Sequence, residues 1–350
     1  MMVKEIFEEL TKDLDKREKT ILDLRFGLSG KKKSLQEIGD GFGITKERVR
    51  QIQEKLLKKF YEKIEENKKI NKIFELVHEL LIQSNGFKSK NSLLNKLAQD
   101  LETKEEEINY LRFFLIFAKG IEDILKDEFH EDFYSLKENK DKIEKFFHYI
   151  SVKFKNKKYK WDDFKEIFSE EFYRLVKEKA ADETIEEFLK ISTHIWLNPF
   201  NEVGHVTSLF IAPKNAQDKI YALFKYLNKP LHFKELHDHL RKVSQKHHEL
   251  IHRFWKNVPN ASTIHNELIK SEKFVLVGRG LYALKEWDYS GLFVKDLILE
   301  ILKKHKKPIP KETLKKMVLE KKLVKPETVT ANLYQLKGKI KIHPEGLVSL

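Results

Sequence analysis

The sequence predicts a mainly α-helical protein: an N-terminal helix-turn-helix followed by tandem winged-helix units, each closed by a small β-hairpin wing. Three observations carry this reading. The stretch Ser34 to Phe60, SLQEIGDGFGITKERVRQIQEKLLKKF, reads as two helices about a tight turn. Beyond it, an amphipathic helix, a short polar turn, two more helices and a β-like ending recur four times. The endings close on Leu136, Leu209, Leu284 and Leu350, spaced 73, 75 and 66 residues apart, and such a period marks repeated units.

In the helix-turn-helix, Leu35, Ile38 and Phe42 fall three and four apart and line one face of a first helix. Gly43 supplies the positive φ that suits a helix C-terminus. Ile44 tucks under the turn, and Thr45 is a good N-cap for the second helix. In that helix Val49, Ile52 and Leu56 repeat the apolar spacing, leaving Lys46, Glu47, Arg50 and Gln51 at its N-terminal, outward side. Arg or Lys pairs with guanine, Gln with adenine and Glu with the cytosine amino group, so these four are the candidate base-reading residues. Thr45, Arg48, Lys55 and Lys58 are candidates for the phosphate backbone. Lys31 to Lys33 precede the motif and Lys59 trails it. Lysines beside a reading helix supply non-specific affinity, whereas elsewhere such runs are solubilising surface. The last helix is expected to continue through the charged stretch Lys58 to Lys72.

With those residues in view, Leu10 to Phe60 resembles the C-terminal promoter-reading region (region four) of housekeeping-class bacterial sigma factors. LTKDLDKREKTILDLRFGL is similar to that family's lead-in helices, with Arg17, Glu18 and Leu24-Arg25-Phe26-Gly27-Leu28 in place; LQEIGDGFGITKERVRQIQ is similar to its reading motif. The resemblance implies that Glu47, Arg50 and Gln51 face bases of a minus-35 hexamer and that Arg17 and Arg25 touch phosphates. It also implies bacterial RNA polymerase as a partner, through the flap of the large β subunit. The family usually has Arg at the position of Lys46 and often Glu at that of Gln53. Lysine keeps the charge but loses the two-pronged fork.

The expected domains are 1–66, the helix-turn-helix, then winged-helix-like units at 72–136, 138–212, 213–287 and 290–350. Their polar turns align at Asn85–Ser89, Asn156–Lys160, Asn228–His232 and Lys306–Pro310. Their endings align at Phe133–Leu136, Val206–Leu209, Leu281–Leu284 and Leu347–Leu350. In the clearest unit, helices are expected at Ile220–Leu227, Phe233–Val243 and Ser262–Lys270. A hairpin then pairs Phe274–Val277 with Leu281–Leu284 through Gly278-Arg279-Gly280. PLHFKEL and FVLVGRGLYALKEW resemble the HARE-type winged helices found beside bacterial RNA polymerase (its delta subunit) and in some chromatin and restriction proteins. Arg279, at a glycine-flanked tip, is a candidate phosphate contact. The third helices are not strongly basic, which suits protein docking better than base reading.

Composition sets the remaining bounds. The chain has 350 residues, 35% charged, a net charge of +13 and no cysteine. The basic balance suits a polyanionic partner, and the missing cysteine excludes disulfides, thiolate zinc sites and thiol catalysis. His248 and His252 are four apart on a presumed helix, within a run that includes His232, His237, His239, His247 and His265, but no third ligand presents itself and no metal is expected. Asp162-Asp163 and Glu170-Glu171 read as solvated helix faces, since adjacent side chains splay apart. No phosphate loop is present, so no enzyme, cofactor or small-molecule substrate is expected. The longest apolar run, Phe113 to Ala118, is far below the ~20 residues of a membrane span, and no signal peptide is evident. The expectation is a soluble, cytoplasmic, nucleoid-associated DNA-binding transcription factor that binds double-stranded DNA at promoters. An aromatic region for the melted minus-10 strand is not expected, which favours a regulator or accessory subunit over a complete initiation factor. The alternatives are an interaction scaffold associated with polymerase or chromatin, and an adaptor in a DNA restriction system.

Overall fold

The computed structural model describes residues 3–245, 253–287, 294–321 and 324–350. It is rich in helices with small antiparallel sheets, and divides into two compact units, the first ending at Ala212 and the second beginning at Pro213.

The first unit opens with α1 (Val3–Leu10), α2 (Lys16–Phe26), α3 (Leu35–Phe42) and α4 (Lys46–Glu65). A repeat follows: α5 (Lys68–Gln83), β1 (Phe87–Ser89), α6 (Lys90–Asp100), α7 (Ile108–Leu115), β2 (Ile121–Ile124) and β3 (Phe133–Leu136). The next is α8 (Lys140–Lys153), β4 (Lys158–Lys160), α9 (Trp161–Val176), α10 (Asp182–Ile191), β5 (Ile195–Leu197) and β6 (Glu202–His205). The expected extension of α4 through Lys72 does not occur. Its last carbonyls close at Glu66, and Asn67 takes an extended backbone and accepts from the Lys69 and Ile70 N–H groups, starting α5 afresh.

The second unit carries two further repeats. One is α11 (Ala216–Leu227), β7 (Leu231–His232), α12 (Phe233–Ser244), α13 (Arg253–Lys256), α14 (Ala261–Lys270), β8 (Phe274–Gly278) and β9 (Leu281–Leu284). The other is α15 (Val294–His305), β10 (Ile309–Pro310), α16 (Lys311–Lys321), α17 (Pro326–Gln335), β11 (Lys341–Ile342) and β12 (Leu347–Ser349).

All four repeats share one topology. The strand after the first helix pairs antiparallel with the last strand, which also pairs with its hairpin mate: the orders are β1-β3-β2, β4-β6-β5, β7-β9-β8 and β10-β12-β11. Each aligned polar turn therefore hides a short strand that its composition does not announce. The first residue of each turn, Asn85, Asn156, Asn228 or Lys306, takes a positive φ between 49° and 63°. Asparagine tolerates that region best among side-chain-bearing residues. One expected ending lies elsewhere. Val206–Leu209 is not a strand; the final strand lies at Glu202–His205, and the His205 ring accepts from the Thr207 N–H, turning the chain.

The cores of the first unit interlock. Ile21, Ile38 and Val49 form a small core inside the helix-turn-helix. A larger one runs from Val3 through Leu56, Phe60 and Ile64 of α4 to Leu111, Phe113 and Leu136, so the 1–66 segment and the repeat after it meet in one core. Phe60 is the hub, with Phe7, Phe113 and Phe117 ring centroids at 5.9, 5.2 and 6.1 Å. A third core takes Phe87, Ile124 and Phe133 from the first repeat together with Phe147, Phe168 and Phe188. Successive residues of β3, Phe133 and Tyr134, thus enter different cores, as strand geometry requires of opposite faces.

Candidate nucleic-acid interface

Two capped helices build the helix-turn-helix. Ser34 accepts from the Glu37 N–H at 3.2 Å while the Glu37 carboxylate accepts from the Ser34 N–H at 2.7 Å, a capping box that starts α3. That backbone hydrogen bond, with the Ser34 hydroxyl, holds the Glu37 carboxyl below its ordinary range. Gly43 ends α3 at φ 64°, as the sequence predicts. A second glycine matters as much, though nothing local in the sequence marks it. A Cβ on Gly39 would stand 2.6 Å from the Ile44 carbonyl oxygen, so the turn packs against bare backbone there. Thr45 then accepts from the Arg48 N–H at 3.2 Å and caps α4.

Val49 is buried under the turn, while Lys46, Glu47, Arg48, Arg50, Gln51, Lys55 and Lys58 are all exposed. The 20 residues of α4 extend about 30 Å at 1.5 Å per residue. Its first turns carry the candidate reading residues and its later turns are fixed in the large core. Arg50 is already organised. Its Nε and Nη2 donate to the two oxygens of Glu47 at 2.9 and 2.7 Å, and Nη1 donates to Glu54. The hydrogen bonds lower the Glu47 carboxyl and raise the Arg50 guanidinium, so both stay charged across the working range of pH. Arg48 donates to the Gln51 side-chain oxygen at 3.2 Å.

Five of the expected phosphate contacts lie in three places. Arg17, Arg48 and Lys55 line one shallow depression together with Gln51, between α2 and α4; Arg17 lies over the Phe42 ring at 5.4 Å. Arg25 is half-buried, donating to Gln53 at 2.9 Å and to the Lys33 carbonyl. Gln53, where the family often has Glu, thus orients Arg25 as a neutral acceptor and leaves its charge uncompensated. Arg279 belongs to the second unit. It is exposed in a two-residue turn with Gly280, whose φ is 68° and whose Cβ would fall 2.4 Å from His232 Nε2.

Other candidate chemistry resolves differently. His232 caps α12, and His237 Nδ1 lies 3.1 Å from the Pro259 carbonyl oxygen. His247, His248 and His252 lie outside the described residues; among the described residues no group of three or more acidic or histidine side chains could hold a metal. Asp162, Asp163 and Glu170 are exposed, but Glu171 is not part of a solvated face. Its side chain is 13% exposed and takes hydrogen bonds from Lys153 and Arg174. Among the described residues no helix is long and apolar enough to cross a membrane.

Comparison with known proteins bears on this segment. The family model for Sigma-70, region 4 matches residues 12–62. RNA polymerase sigma factor SigA of Bacillus sp is 46% identical over 59 residues, which are 17% of this chain and 16% of that protein. The chain thus matches about a sixth of the length of that relative. The helix-turn-helix at α3–α4 lies wholly within the matched residues but for the end of α4.

Proposed function

We propose that this chain is a sequence-specific DNA-binding transcription protein that reads a minus-35-like promoter element. Sigma-70 region 4 is a promoter DNA-binding domain of a non-enzymatic family, and residues 12–62 are similar to it. The observation that carries the reading is the exposed first turns of α4, where Lys46, Glu47, Arg50 and Gln51 present charge-bearing and amide groups of the kinds that address base edges. Arg17, Arg25, Thr45, Arg48, Lys55 and Lys58 then lie along the phosphates, and Arg279 is a separate backbone contact. RNA polymerase is the protein partner, met through the flap of its large β subunit, and the chain works beside it as a regulator or accessory subunit. The four repeats are winged helices, the third of them HARE-like. Selection from random duplexes tests this. The full chain should enrich one hexamer, and Arg50→Ala should relax one position of it; enrichment of nothing would overturn the reading.

A second reading, an interaction scaffold anchored by the helix-turn-helix, draws on one observation. The third helices of the first two repeats are spent on internal packing. α7 buries Tyr110, Leu111, Phe113, Phe114 and Leu115, and α10 buries Ile185, Glu187, Phe188, Leu189 and Ile191. Neither can enter a groove.

A further inference from the structure

The last two repeats carry the chain's positive charge, a net +7 over residues 213–287 and more in the last. Residues 294–350 hold fourteen lysines and no arginine against six acidic residues, a net +8 of the whole chain's +13. Two of the acids, Glu300 and Glu312, are engaged by Lys304 and Lys315. α17 buries Val329 and Leu333 and leaves its other face open, with Tyr334 50% exposed. The fold gathers lysines around that ring. Lys311, at the start of α16, lies 4.8 Å over it and donates to its hydroxyl at 3.2 Å; Lys337, just past α17, lies over it at 5.4 Å. Lys339 and Lys341 come next and are exposed, Lys341 beginning β11. Among the described residues Lys311, Lys337, Lys339 and Lys341 form no ion pair.

We propose that this patch is a second, sequence-independent contact with duplex DNA, made by lysines to phosphates. Lysine is a compact point charge without the fork that reads guanine, so an all-lysine patch attracts phosphate and specifies no base. Unpaired ammonium groups release counterions when phosphates replace them, which makes such a contact salt-dependent. The neighbouring repeat, residues 213–287, is also basic but includes three arginines, Arg241, Arg253 and Arg279, where the last repeat has none. The choice of duplex DNA over another polyanion rests on the reading of residues 12–62. Joined in one chain to a site-specific reader, a non-specific contact raises the local concentration of each for the same duplex.

The test uses the full chain and fluorescence anisotropy on random-sequence duplex over a series of salt concentrations. Lys337→Gln/Lys339→Gln/Lys341→Gln is made in the wild-type and in the Arg50→Ala background. Lys137→Gln/Lys142→Gln/Lys145→Gln, also at surface positions, removes the same charge elsewhere. The C-terminal triple should make the salt slope shallower by about 2.7 in both backgrounds, and the control triple should leave it unchanged. An unchanged slope, an equal change in the control, or a change seen on single-stranded RNA or phosphatidylserine vesicles while the duplex slope stays put would overturn the proposal. Base preference in Arg50→Ala reports separately on the reading helix, so failure of one does not pass for failure of the other.

Discussion

On the proposed reading, base recognition turns on Arg50, and in the structure its guanidinium is already occupied. Glu47 and Glu54 hold all three of its nitrogens, yet Arg50, Glu47 and Glu54 are 47%, 54% and 57% exposed. Solvent screens pairs of that kind, and giving one up costs about twofold in affinity. A two-pronged grip on guanine discriminates by between about fivefold and 150-fold. A guanine contact would therefore outweigh the pair, and the glutamates limit the rotamers that Arg50 would give up on binding. Glu47 need not release it, because a carboxylate offers about four lone-pair sites and can accept from Arg50 and from a cytosine amino group together. Arg50→Ala should lose the full discrimination at one base pair and leave the others intact. Glu54→Gln should tighten the preferred site by about twofold, and have no such effect once Arg50 is alanine. Competition anisotropy with duplexes differing at single pairs reads all three. An unchanged base preference in Arg50→Ala, or weaker binding in Glu54→Gln, would refute the orientation given to α4.

Three further outcomes are expected. Lys58→Ala should weaken every duplex alike and make the salt slope shallower by about one; a change in base preference would show that Lys58 reads sequence. Phe60→Ala empties a site 2% exposed that three other aromatic rings line, and should cost about 3–5 kcal/mol in denaturant melts; a loss under about 1 kcal/mol would mean the two segments do not depend on this core. Burial works to raise the Glu171 carboxyl, but hydrogen bonds from Lys153, Arg174 and Tyr149 outweigh it and hold its pKa at about 2, against an ordinary value near 4.5. A depressed carboxyl contributes stability that is present above its unfolded pKa and lost as pH falls through the folded one. Glu171→Gln should therefore be less stable than wild type at pH 7, with the gap closing between about pH 4.5 and 2. A gap that persists at low pH would assign the loss to packing.

The helix-turn-helix is legible because its signals are local: a capping serine, a left-handed glycine, an N-cap threonine and apolar residues at helical spacing. The repeats are legible as a period, and the shared positive φ of Asn85, Asn156, Asn228 and Lys306 explains why their turns align. The short first strands are not, because two or three residues such as Lys158-Tyr159-Lys160 carry no alternation worth reading, and only pairing with Glu202–Gly204 makes them a strand. Val206–Leu209 misleads for the converse reason: after Val206, whose N–H donates to the His194 carbonyl, the Ser208 N–H closes a turn onto His205. Gly39 gives no signal because its need is steric and arises across the turn, from the Ile44 carbonyl. Glu171 reads wrongly as solvated because its adjacency to Glu170 is local while its partner Lys153 comes from another helix.

What the sequence could not announce is how the first two repeats are used. A winged helix that reads DNA must leave its third helix free, and here α7 packs into the aromatic core around Phe60 while α10 packs on β1. Polar groups pin the second seam. Lys88, its side chain 3% exposed, pairs with Glu183 and lies 3.9 Å from Glu187, itself 1% exposed, and Glu187 accepts from the Ser89 N–H at 2.8 Å. Asn85 takes part as well, accepting from the Ala181 N–H and the Thr184 hydroxyl. Buried charge is tolerated only where its partners are fixed, so this network admits one placement of α10 on the sheet and penalises slippage. The reader helix α4 is in turn continuous with the core that α7 enters. The exposed first turns of α4 are thereby held by packing that begins at Leu56, about 9 Å along the helix from Arg50; on the proposed reading, the first repeat fixes the aim of that turn through this core.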